Sequence, residues 1–156
     1  MIDLFNSSSS ARYIRAYRIY MFNNGTTSVT GVLTNIQVRR SSASSGGTSI
    51  TPIAHNLGNS ALDANTTAGT GRTVTSSSVF RQVLYQNDEP AVTTLDMDAL
   101  LTLVPFAEIW NAGYGDSNVE PIVCRAGQNE GVCVFQPGAN AVGSCDLEIE
   151  FTDSAS

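Results

Sequence analysis

Hydrophobic and polar positions alternate in short runs along most of this chain, and turn-forming residues separate the runs. Residues 11–22, ARYIRAYRIYMF, place Tyr13, Arg15, Tyr17, Ile19 and Met21 on one face and Ile14, Ala16, Arg18, Tyr20 and Phe22 on the other. Successive side chains of a strand point to opposite faces, so this run predicts a strand covered on both sides. Asn23-Asn24-Gly25 follows it as a hairpin signal. Thr26 to Arg40 continues as extended chain with Val32, Ile36 and Val38 on a core face. Residues 41–47, SSASSGG, read as a loop, and Thr48 to Ala54 as a short strand.

Residues 55–72 are rich in Asn, Gly, Thr and Ala, keep no periodicity and read as a long excursion. Thr73 to Tyr85 returns to strand character, and Asp88-Glu89-Pro90 ends it. Residues 96–111, DMDALLTLVPFAEIWN, form the one helical candidate: Asp96 or Asp98 can cap it, and Pro105 breaks or kinks it. In the last strand Leu147, Ile149 and Phe151 alternate with Asp146, Glu148 and Glu150, which predicts a half-buried strand with an acidic outer face. Roughly seven or eight short strands with turns between them predict an all-β fold, an antiparallel β-sandwich of jelly-roll-like type with at most one short helix. The N-terminal residues 1–10 end in four serines and read as a flexible arm, leaving 11–156 as a single domain.

Composition agrees with strands and turns. Apolar residues make up 42% of the 156 and charged residues only 14%, against roughly 25% in an average domain. All eight cationic side chains are arginine. Either the composition has drifted, or these cations sit in interfaces, where the forked guanidinium suits fixed contacts. The net charge of −6 is unevenly spread. Residues 1–40 hold five arginines against Asp3 alone, whereas 41–156 hold three arginines against thirteen acids. A basic front and an acidic back suit contact between subunits or docking on an acidic surface. Without a recognition helix or an aromatic RNA-binding motif, a nucleic-acid role is not expected. The first residues lack a basic segment followed by an apolar core, so no signal peptide is expected. No apolar run approaches the ~18 residues of a membrane-spanning helix.

Candidate chemistry is sparse. The sole histidine, His55, cannot build a zinc site unless cysteines or acids join it, and no C-x-x-C occurs. No serine sits in G-x-S-x-G, although a triad through His55 is a matter of geometry rather than order. Asp96 and Asp98 are explained by helix capping. Asp116 and Glu120, around Gly115 and Asn118, offer calcium ligands without the EF-hand pattern. Gly69-Thr70-Gly71-Arg72 has no following helix and reads as a turn. The segment Cys124–Gln136, CRAGQNEGVCVFQ, reads as a hairpin with its tip at Gly127–Gly131. Cys124 and Cys133 are then near opposite one another, either as a cross-strand disulfide or as small buried residues. Arg125 and Glu130 face across the tip. No cofactor, no metal and no enzymatic activity are expected.

The closing region, ALLTLVPFAEIWNAGYGDSNVEPIVCRAGQNEGVCVFQ followed by GSCDLEIEFTD, resembles small structural proteins of tailed-bacteriophage virions. Phe80 to Leu84 (FRQVL) and Asp88 to Val92 (DEPAV) fit the same pattern, which covers roughly residues 78–153. The chain departs from it by lengthening the tip with Gln128 and Asn129. The resemblance implies a virion subunit assembled in the host cytoplasm: a head decoration or cement protein that bridges capsomers of the major capsid protein, itself a homo-oligomer, with a trimer the first expectation. Tyr13, Tyr17 and Tyr20 would anchor its interface, and Arg15, Arg18, Arg39 and Arg40 would reach acidic patches on a neighbour. Asp146, Glu148 and Glu150 would form the acidic counterpart. The alternative is a tail-fibre or receptor-binding module that recognises a host glycan through Trp110 and Tyr114.

Overall fold

The computed structural model describes residues 1–23, 32–56, 58, 61–87, 106–112, 120–137 and 145–155. Ten strands run through them: β1 (Ile2–Asn6), β2 (Arg12–Asn23), β3 (Val32–Ser45), β4 (Thr48–Ile50), β5 (Thr66–Thr70), β6 (Thr73–Asn87), β7 (Phe106–Asn111), β8 (Ile122–Cys124), β9 (Glu130–Phe135) and β10 (Cys145–Ala155). Every pairing is antiparallel. A six-stranded sheet has the order β4-β5-β1-β9-β3-β6, and a four-stranded sheet has β10-β2-β7 with β8 also on β2. The fold is all-β and sandwich-like, with one sheet strongly curled.

The core lies between the sheets. Leu4, Ile36, Val38, Val132 and Val134 come from the larger sheet and Ile14, Ala16, Ile19, Met21, Ile109 and Ile122 from the smaller one. Strands β1 and β9 are buried almost throughout because both are inner strands, so their apolar runs need no alternation. In β10 the expected alternation holds: Leu147, Ile149 and Phe151 pack against the core while Asp146 and Glu148 are exposed.

Several sequence expectations are corrected. Residues 1–10 are no arm. Leu4 and Phe5 are buried, and β1 pairs β5 on one side and β9 on the other. The serines that follow form a turn, closed by the Ser10 amide on the Ser7 carbonyl. Phe106–Asn111 is strand β7, not helix, because β2 offers it an open edge that satisfies its backbone. Residues 96–105 lie outside the described residues. Residues 41–45, expected as a loop, continue β3, and only Gly46 and Gly47 turn the chain.

The hairpin expected at Asn23-Asn24-Gly25 does not join partners. The turn itself lies outside the described residues, but β2 and β3 belong to different sheets. The simple alternation of β2 also fails. Glu150 pairs Arg18 and Phe151 pairs Ala16, so Tyr17 is an extra residue in a β-bulge. The buried set therefore steps from Ile14 and Ala16 to Ile19 and Met21.

Candidate functional site

The segment Cys124–Gln136 is not a hairpin either. Strand β8 pairs β2, whereas β9 pairs β1 and β3, so the turn between them crosses from one sheet to the other. Cys124 and Cys133 consequently sit in different sheets and are free thiols, both buried. Burial pushes the Cys124 thiol up to about 12 and the Cys133 thiol up to about 11, which keeps both protonated and unreactive at neutral pH.

The two glycines bounding the crossing have different reasons. Gly127 has φ +68°, the left-handed region that favours glycine. A Cβ on Gly131 would run into the Ser41 hydroxyl, the Leu4 carbonyl and the Phe5 ring, so Gly131 lets three strands close up.

The tip of the crossing docks on its own N-terminus. The Ser8 amide donates to Asn129 Oδ1 (2.9 Å), and the Gly127 amide donates to the Ser10 carbonyl (2.8 Å). Fully buried Asn6 completes the joint: its amide donates to the carbonyls of Arg12 (2.8 Å) and Arg125 (3.0 Å), and its oxygen accepts from the Thr66 hydroxyl (2.8 Å). Glu130 receives the Arg125 backbone amide (2.8 Å) and guanidinium Nε (3.0 Å), and Arg40 lies 3.5 Å away. Burial alone would raise the Glu130 pKa, but these hydrogen bonds and the two cations outweigh it and hold the carboxyl below its ordinary value.

The expected interface residues cluster on β2, β3 and β10, and much of their charge is matched within the chain. Arg18 Nη1 lies 3.2 Å from Glu150 Oε2, its register partner. Arg15 donates to the Ser154 hydroxyl and lies over the Tyr13 ring. Arg39 donates to Gln37 Oε1 (2.7 Å) and lies over Phe135. Arg40 donates to the Val123 carbonyl (3.2 Å) and lies over Phe80. Tyr13, Tyr17 and Tyr20 are half-buried, Asp146 and Glu148 exposed, and Glu150 half-buried. The basic front and acidic back of the sequence thus meet inside one molecule, where β2 pairs β10.

A partly open cleft of about 1910 Å³ follows edge strand β10. Inward-facing Leu147, Ile149 and Phe151 line it together with Glu148, Glu150 and His55. Ile50 and Ile53 stand at its lip, the latter 90% exposed. His55 is itself exposed, and it lies near Glu148 and Glu150. Asp96, Asp98, Asp116, Asn118 and Tyr114 lie outside the described residues. The turn expected over Gly69–Arg72 is shorter: Gly69 and Thr70 end β5, and only Gly71 and Arg72 link it to β6, which brings the Arg72 side chain to a buried position beside Asp3. Sequence reasoning missed that pair and Asn6. The one available signal was an acid inside the apolar run IDLF.

No protein-family model matches the chain, and neither a curated protein nor a solved structure matches it significantly.

Proposed function

We propose that this chain is a structural subunit of a tailed-bacteriophage virion, a jelly-roll-like decoration or cement protein that braces the head by burying surface between capsomers. The observation that carries the reading is the outer edge of the larger sheet. Strand β6 is long and pairs only β3 among the described residues, and it exposes Val79 (47%) and Leu84 (66%). A long edge strand with apolar side chains invites pairing with another chain, and soluble proteins usually blunt such edges. A neighbouring subunit on this edge would cover the apolar side chains and satisfy the open backbone. Shells are then stabilised by mass action, because a protein that binds only the assembled state shifts the equilibrium toward it.

The chemistry of docking differs from that suggested by charge. Arg18 and Arg40 already have carboxylate partners in their own chain. Apolar contact along β6, rather than arginines reaching a neighbour, is the driving term. The glycan alternative gains no support from Trp110, which is half-buried against the core and packs on Phe80 with ring centroids 6.2 Å apart.

Binding of the purified protein to expanded phage heads tests the proposal, read by electron microscopy and by subunit stoichiometry. Ordered density at capsomer junctions is expected, and Leu84→Asp should abolish it while the free protein stays folded. Absence of the subunit from intact heads would overturn the reading.

A further inference from the structure

The only histidine of the chain meets two carboxylates that sequence spacing does not connect. One ligand atom from each of His55, Glu148 and Glu150 lies within 4.8 Å of the other two. Glu148 and Glu150 are two residues apart on β10 and so project to the same side. His55 comes from the segment after β4, which belongs to the other sheet.

Charge makes this meeting informative. Two neighbouring carboxylates repel unless a cation sits with them. Arg18 supplies one positive charge through Glu150 Oε2 and leaves that carboxylate a second oxygen. Glu148 and His55 have neither a hydrogen bond nor an ion pair among the described residues. A donor set of one imidazole and two carboxylates, only one of them with a cation partner among the described residues, therefore stands together along the cleft.

We propose that His55, Glu148 and Glu150 form a binding site for a divalent transition metal of the zinc class, which clasps the segment after β4 onto edge strand β10. One imidazole nitrogen and two carboxylate oxygens are ligands that zinc accepts, with water in the fourth position. Calcium and magnesium take oxygen ligands and make no use of the imidazole. Zinc bonds of about 2.0–2.2 Å place ligand atoms roughly 3.3–3.6 Å apart in a tetrahedron, so groups already within 4.8 Å of one another need close by at most about 1.5 Å. Exposed glutamate and histidine side chains reach that by rotamer change. The clasp would fix the lip that carries Ile53. The proposal rests on these three side chains and is independent of the virion reading.

Titration of the metal-free full-length protein with zinc chloride tests it, followed by calorimetry and by the ring 1H–15N signals of the single histidine. One equivalent is expected to bind and to shift the His55 signals, whereas calcium or magnesium chloride leaves them in place. His55→Ala and Glu148→Gln, both at exposed positions, should each weaken binding at least about tenfold, since loss of even an outer-shell partner costs that much. Cys145→Ser should bind as the wild type does. Unmoved His55 signals at saturating zinc, or equal affinity in His55→Ala and wild type, would overturn the site. So would binding that disappears in Cys145→Ser and persists in His55→Ala, because the exposed thiol would then be the ligand.

Discussion

Arg72 lies over Asp3 with Nε 3.6 Å from Oδ1, and the Asp3 side chain has no solvent exposure. The carboxylate also accepts the Ser44 hydroxyl at 2.6 Å, and the guanidinium donates to the Ala68 carbonyl at 3.1 Å. The pair ties the first strand of the chain to the β5–β6 turn.

Removing the cation leaves a buried acid. Arg72→Met is expected to destabilise the fold by about 3 kcal/mol at pH 7, the lower end for breaking a buried pair. Burial already raises the Asp3 pKa, against the lowering by Ser44 and Arg72. A raised carboxyl contributes its stability at low pH and loses it as pH climbs through the folded value. The Arg72→Met penalty should therefore shrink on acidification, when Asp3 takes up a proton. Urea unfolding of both proteins at pH 7 and pH 4.5 reads this, and a penalty independent of pH would contradict it.

Glu130 titrates with the opposite sign. Its pKa is held below the ordinary value, so its contribution is present above the unfolded value of about 4.3 and fades as pH falls through the folded one. Glu130→Gln should lower the urea midpoint at pH 7. The difference from wild type should close as pH drops below about 4.

The thiols separate by reactivity. Cys145 is exposed, whereas Cys124 and Cys133 are buried and protonated at neutral pH. Ellman's reagent at pH 8 should modify one thiol per native chain, and all three of the sequence in denaturant. A second fast-reacting thiol in the native protein would contradict the crossing between sheets.

Gly131→Ala tests how closely β1, β3 and β9 approach. The added methyl meets the Leu4 carbonyl and the Phe5 ring, which are fixed by pairing and packing. A loss of about 1–3 kcal/mol is expected from this overpacking. Gln128→Ala, at the exposed tip, should change stability by less than about 0.5 kcal/mol.

Deletion of residues 1–10 should abolish the cooperative unfolding transition rather than trim a dispensable tail. It removes an inner strand and the turn on which the Gly127–Asn129 tip docks. Near-UV circular dichroism and a thermal melt decide between the two outcomes.

Much of the strand content was legible in the sequence, for a local reason. The alternation of Leu147, Ile149 and Phe151 with acids predicts β10, and the run from Thr73 predicts β6, because side-chain direction along a strand has period two. What the pattern could not show is which strand pairs with which. Arg125 and Glu130 were legible as a pair because five residues separate them. Ser8 and Asn129, or Asn6 and Thr66, were not, since only the fold brings them together.

The sequence by itself determined an antiparallel all-β chain, the half-buried last strand and a charge split between its two ends. Tertiary structure decided the rest. It made Ile2–Asn6 an inner strand and the serines after it a turn, set Cys124 and Cys133 in different sheets, matched the basic front to the acidic back across β2 and β10, and carried His55 to Glu148 and Glu150. Local preference fixes which residues are extended, whereas pairing depends on edges and buried faces supplied by residues distant in the chain.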